Sequence, residues 1–354
     1  MGYFMKFGLF HSVQLPDPTR QQEYYDEALD QVLWAEQLGY ESVWFTEHHF
    51  SRHGIVSATF SVLSYLAAKT SDIRLGTAVT VLPFHSPIDV AEQTATVDLL
   101  SNGRLDLGVG RGYQWGEFNR LNIPMDEADR RFKEALDVLI KGWTSKMAFD
   151  HAGEFWTFND MTVHPKPIQN PHPPLWVAAS SQASMDRIAQ NGWNLLIGQG
   201  ESFEKVGEQI NYFGSAVGEA GSKFDPYQVT VARAMYTHKD EKQVREDSEV
   251  PFMWFKETSA EVGAPPERRG ELLPENFSEY RRRFSATSSV DYEEMCEKVV
   301  LFGTPDELIE KIQLLSDLGV RKIILFVNYG GIESTKVKKS LELFAKEVMP
   351  QFQD

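Results

Sequence analysis

Short apolar runs alternate with amphipathic stretches along most of the chain. Apolar or β-branched runs cover residues 5–10, 42–45, 73–82, 104–109, 175–179, 194–197, 228–237 and 323–327. Each is too short for a stable helix and reads as a strand. Between them, apolar positions recur at helical spacing. Over 23–38, Ala28, Val32, Ala35 and Leu38 share one face, and Gly39 follows as a stop. Further helices are read at 57–69, 87–100, 128–143, 182–191, 203–220, 306–318 and 333–348, with Pro87 placed for a first turn. Continuous apolar strands are those buried on both faces of a parallel sheet. Eight such β/α units in 354 residues predict an α/β fold, a (β/α)8 TIM barrel forming one domain. A doubly wound open sheet is the alternative.

Two stretches break the alternation. Residues 151–174 hold several prolines and a hairpin expected from EFWTFN and MTVHP. Residues 262–289 are charged and irregular and fall between the seventh and eighth strands, where a long loop reads as a lid or as a surface insertion.

Charge narrows the function. With 35 Lys+Arg against 51 Asp+Glu, the net charge of −16 disfavours nucleic acid and anionic membranes as partners. A single cysteine, Cys296, excludes an internal disulfide and any multi-cysteine metal site, which fits a reducing cytoplasm. The opening MGYFMKFGLFHS lacks the basic lead and long apolar stretch of a signal peptide. No apolar run nears the roughly 20 residues of a membrane span. A cytoplasmic protein acting on small molecules is expected.

Barrel active sites lie at the C-terminal ends of the strands. That rule selects Phe10, His11 and Ser12 after strand one, Glu47, His48 and His49 after strand two, and residues 77–80 on strand three. It adds Gly110-Arg111-Gly112-Tyr113 after strand four, Ser180-Ser181 after strand five and Gly198-Gln199 after strand six. Free N–H groups where a helix opens at Ser181, with the Arg111 fork, suit a phosphate, although a serine N-cap and a surface arginine read the same way. Gly108, Gly110 and Gly112 would let a flat ligand approach the backbone. GVGRG lacks the third glycine of the dinucleotide fingerprint, so a Rossmann site is disfavoured. Glu47, His48 and His49 are consecutive and point in alternate directions, which argues against a metal centre. One inward imidazole is enough for proton transfer.

The stretches MKFGLF, GYESVWFTEHHF, GTAVTVLPFHSP, LLSNGRLDLGVGRGY, PPLWVAASSQAS, GTPDELIEKI and VMPQF occur in this order from residue 5 to 352. Together they resemble the bacterial luciferase-like flavin-dependent monooxygenases of the luciferase α-subunit type. The resemblance implies a TIM barrel binding reduced FMN from a separate flavin reductase. It implies oxygen attack at flavin C4a and oxygenation of a small organic substrate such as an aldehyde or ketone. His48 matches the catalytic histidine and Glu47 the acid before it. Ala78-Val79 matches a pair joined by a cis peptide beneath the isoalloxazine. Arg111, Ser180, Ser181 and Ser184 match the phosphate site, with Phe10, Gly110, Ala179 and Gln199 expected around the cofactor. A homodimer through the helices flanking strands two and three is also implied, and the apolar helix 57–68 suits it. The deazaflavin F420 is the alternative cofactor, with hydride transfer as its chemistry. A non-catalytic flavin-binding partner subunit is a third reading.

Three positions depart from the pattern. Gly110 stands for a reactive cysteine, Ser180 for a glutamate, and Asp129 for a second phosphate arginine, with Arg130 and Arg131 beside it. Trp44, Phe84, Tyr113, Trp115 and Trp254 are candidates for an apolar substrate pocket, with core packing favoured for Trp44.

Overall fold

The structure is a computed structural model that describes residues 4–263 and 291–353. Its centre is a closed parallel barrel. The strands are β1 (Lys6–His11), β2 (Ser42–Phe45), β3 (Arg74–Thr77), β4 (Thr80–Val81), β5 (Leu105–Gly110), β8 (Leu175–Ala178), β9 (Asn194–Ile197), β10 (Val229–Thr237) and β12 (Lys322–Phe326). The pairing runs β1-β2-β3-β5-β8-β9-β10-β12 and returns to β1, with β4 continuing β3 against β5. This is the expected TIM barrel. Its strands coincide with the apolar runs because each is buried on both faces.

Helices α1 (Gln21–Gln37), α2 (Thr59–Lys69), α3 (Pro87–Leu100), α5 (Ala128–Thr144), α6 (Gln182–Gln190), α7 (Phe203–Glu219), α10 (Pro305–Asp317) and α11 (Ser334–Leu343) surround it. Three further helices lack a sequence signal. Helix α4 (Trp115–Arg120) is only six residues long. Helix α8 (Glu241–Gly263) carries Pro251 in its interior, which reads as a breaker. Helix α9 (Tyr292–Lys298) is capped by Asp291. A short strand, β11 (Leu301–Gly303), pairs in parallel with the end of β10.

Two expectations are corrected. The run 73–82 is two strands, because the Ala78-Val79 peptide is cis and interrupts the ladder. The hairpin is displaced toward the N-terminus: β6 (Phe149–Ala152) pairs with β7 (Thr157–Met161), so EFW forms the turn. That turn is fixed by the Glu134 carboxylate, which accepts the N–H groups of Glu154, Phe155 and Trp156. The expected lid lies, except for its first two residues at the end of α8, outside the described residues.

The barrel interior is solid at its lower end. Trp44 on β2 and Trp176 on β8 meet edge to face at 5.6 Å although their strands are not neighbours. Lys322 on β12 lies 4.5 Å from the Trp176 ring centre, and Asp106 accepts its indole N–H. Gly76 makes room: a Cβ there would lie 2.3 Å from Trp44 Cε3. Trp44 therefore fills the core rather than lining a pocket. Alternate residues share a strand face, so Ala78, Gly110 and Ala178 lie one layer above the indoles, toward the mouth.

Candidate active site at the barrel mouth

Strand β2 ends at Phe45, and the chain then turns through Thr46, Glu47 and His48. Thr46 is held by its N–H to the His11 carbonyl, and Ala78 N–H bonds the Phe45 carbonyl. Glu47 and His48 diverge from there, as consecutive residues should.

Glu47 is buried, with 2% of its side chain exposed, and both oxygens are occupied. Oε1 accepts from His49 Nε2 at 2.8 Å and lies 2.7 Å from His85 Nε2; Oε2 accepts the Val81 N–H at 2.8 Å. Burial pushes its carboxyl up, but the bonds from His49 and His85, the His85 charge and the Val81 N–H outweigh it and hold it below the usual range. In return, its hydrogen bond with Glu47 raises His49. Glu47 thus ties β2 to the segment following the cis peptide.

His48 is served by a different acid. Its Nδ1 lies 3.2 Å from Glu117 Oε1 and 3.0 Å from the Gln114 side-chain nitrogen. Its ring meets His53 at 4.9 Å and Tyr113 at 6.1 Å. Among the described residues no protein group bonds its Nε2. Glu117 and Gln114 carried no sequence signal; they belong to the short α4, some 70 positions away.

The glycines of GVGRG do not open space for a ligand. A Cβ at Gly108 would land on the Thr77 carbonyl oxygen, and one at Gly110 would lie 2.5 Å from Val79 Cγ2. Gly112 has φ of +80°. These residues admit the neighbouring strand and turn instead.

On the adjacent rim, Ser181 caps α6: its Oγ accepts the Ser184 N–H and its hydroxyl donates to Ser184 Oγ at 2.9 Å. Ala178, Ser180 and Ser181 are exposed, and Ala179 is half-buried. Burial lowers the Arg111 guanidinium, Asp129 opposes that, and the charge of Arg187 adds to it. Arg187, on α6, is therefore a second cation near Arg111, and it lies 3.8 Å from the Asp129 carboxylate. Arg130 and Arg131 turn away: Arg130 pairs with Glu154, and Arg131 pairs with Glu127 and covers the Phe155 ring. The signal for Arg187 was its place one turn after Ser184 on the same helix face.

The remaining expected residues divide. Phe10 packs on Phe326 at 5.4 Å in the barrel wall. His11 is stacked on Phe45, and burial pushes it down to about 3, so it is neutral. Phe84 packs on Phe118 at 4.7 Å, in a small core that also holds Trp115. Trp254 lies under the Arg52 guanidinium at 5.7 Å. Among the described residues no cluster of histidine, cysteine or carboxylate side chains is placed to hold a metal ion, and no helix is long and apolar enough to cross a membrane.

A flavin mononucleotide can be tested against these residues. Buried polar atoms normally have partners. Here Ser12 Oγ, Thr46 Oγ1, Thr80 Oγ1 and Gln199 Oε1 have none among the described residues, and they fall just after β1, just after β2, at the start of β4 and just after β9. A ligand with both donor and acceptor ring atoms, and a phosphate for the α6 start, fits that set of three hydroxyls and one amide oxygen.

Comparison with known proteins gives one family and consistent neighbours. A sequence model described as "Luciferase-like monooxygenase" matches residues 5–322. The oxygenase component of the flavin-dependent trigonelline monooxygenase of Acinetobacter baylyi is 31% identical over 99% of this chain and 96% of its own. The monooxygenase RslO1 from Streptomyces bottropensis superposes with a TM-score of 0.83 at 26% identity, over 98% of this chain and 100% of its own. An F420-dependent secondary alcohol dehydrogenase in complex with an F420-acetone adduct shares the fold, with a TM-score of 0.76 at 17% identity over the full length of both.

Proposed function

The chain belongs to the luciferase-like monooxygenase family, and from that premise we propose that it is the oxygenase component of a two-component system. It takes reduced FMN from a separate flavin reductase and inserts one atom of dioxygen into a small organic substrate. The supporting observation is the pairing, at one barrel mouth, of a helix start flanked by Arg111 with a histidine whose Nε2 has no partner among the described residues. The relative named as an oxygenase component supports the division of labour.

Bound reduced flavin supplies the electrons that activate oxygen, the second oxygen atom leaving as water. The protein supplies position and proton control. Arg111, Arg187 and the N–H groups opening α6 hold the phosphate. Ala78 and Val79, backed by Gly110, would support the ring system. Phe10, Ala179, Ser180, Ser181, Ser184 and Gln199 complete the cradle. His48 gives or takes a proton at Nε2. Glu47 organises the turn carrying His48 and does not itself touch the reacting atoms.

The test is anaerobic titration with reduced FMN, followed by mixing with oxygen while absorbance is recorded. Tight binding and a transient band distinct from reduced and oxidised flavin are expected. Arg111→Ala should weaken binding by about 10- to 100-fold, the loss of one or two charge-assisted bonds. Arg187→Ala should weaken it less. His48→Ala should bind flavin normally but lose turnover. Binding of reduced F420 in place of FMN would replace oxygenation with hydride transfer.

A further inference from the structure

His48 Nδ1 lies between two groups of opposite character. Glu117, on α4, offers only acceptor oxygens; the Gln114 side-chain nitrogen offers only hydrogens. One ring nitrogen cannot satisfy both at once. Protonated, Nδ1 donates to Glu117; unprotonated, it accepts from Gln114. The ring need not move between the two states, because both partners are already within 3.2 Å. Building on the proposed proton role of His48, we propose that Glu117 and Gln114 are a positioning pair that selects which ring nitrogen carries the proton. A bond to a carboxylate is about twice as strong as one to a neutral group. The resting ring is therefore the Nδ1–H form, held by Glu117, with the Nε2 lone pair left as a base.

Glu117 is well fixed for this task. Its side chain is 3% exposed, and the same Oε1 accepts the His49 backbone N–H at 2.8 Å. The acid therefore sets both the ring and the backbone beside it. The other groups facing His48 compete little for Nδ1. His53 presents its ring at 4.9 Å and uses its own Nδ1 on Ser259. The Tyr113 hydroxyl lies 3.4 Å from the Gln114 nitrogen. On the same segment, His49 and Glu47 face each other. Gln114 satisfies Nδ1 in the alternative neutral form, in which Nε2 becomes a donor. The pair thus allows one ring to present either a lone pair or a hydrogen at Nε2 while remaining uncharged.

Long-range proton–nitrogen NMR on the ¹⁵N-histidine-labelled protein without flavin reads the tautomer directly. The His48 signals are assigned by their loss in His48→Gln, and spectra are taken at about pH 8, above the ordinary imidazole range. The expected wild-type pattern is a pyrrole-type Nδ1 and a pyridine-type Nε2. Glu117→Gln should shift the population toward Nε2–H by about fivefold, the loss of roughly 1 kcal/mol of charge-assisted bonding. Gln114→Leu, which leaves the carboxylate and its two bonds in place, should move it the other way and carries the test alone if Glu117→Gln does not fold. A wild-type Nε2–H ring that neither substitution shifts would overturn the proposal. This readout needs no flavin, so it is independent of whether FMN binds. With FMN bound, Glu117→Gln should slow turnover about 10- to 100-fold without changing FMN affinity.

Discussion

Two acids at the mouth have different tasks, and only one was legible from its neighbours in the chain. Glu47 adjoins His48 in sequence yet bonds His49, His85 and Val81. Glu117 is remote in sequence yet bonds His48. A consecutive triplet reveals which residues reach a strand end, but not which way each turns, because direction is set by the partners across the turn. The Glu47–His49 pair makes a pH-dependent contribution. His49 lies above its ordinary 6.5, so its share of stability is complete below that value and is lost as pH rises through the folded one. Glu47 lies below its ordinary 4.5, so its share is complete above that value and is lost as pH falls through the folded one. The pair therefore stabilises most at about pH 5–6. His49→Gln should lower Tm there by about 1–3 °C, and by less at about pH 8 or 3, as thermal melts across pH would show.

At the scale of elements, the strands were readable because burial on both faces leaves a continuous apolar signature. The failures have local causes. A cis step inside an apolar run does not alter its composition, so β3 and β4 read as one strand. A proline inside α8 and the brevity of α4 erased helical signals. The glycines of β5 were correctly marked as special, but their reason is tertiary. They seat β3 and Val79 rather than a ligand. This separates two otherwise similar substitutions. Gly110→Ala presses on a stiff valine and should cost about 1–3 kcal/mol in denaturant unfolding. Gly108→Ala meets a backbone carbonyl that cannot swing aside and should cost more, or prevent folding.

At the scale of the whole molecule, the alternation of strands and helices identified the barrel, and the barrel alone placed the site at one end. What it could not give was the depth of that site, which depends on two tryptophans from non-neighbouring strands meeting edge to face. Nor does the fold fix the assembly. Tyr65 on α2 and Leu99 and Leu100 on α3 are large, apolar and exposed on helices flanking the second and third barrel strands. Exposed apolar groups of this kind mark association surfaces. A homodimer is therefore predicted in light scattering, and Tyr65→Glu with Leu100→Glu should yield monomers that keep their flavin affinity.

The crossed indoles have an optical consequence. Both are buried and packed edge to face, so they should contribute a chiral near-ultraviolet signal belonging to the closed barrel. Oxidised flavin, if held at the mouth above them, would absorb at the wavelengths where they emit. Occupancy of the mouth by that chromophore should then be readable as quenching of the protein's own fluorescence, with the two indoles of its floor among the emitters.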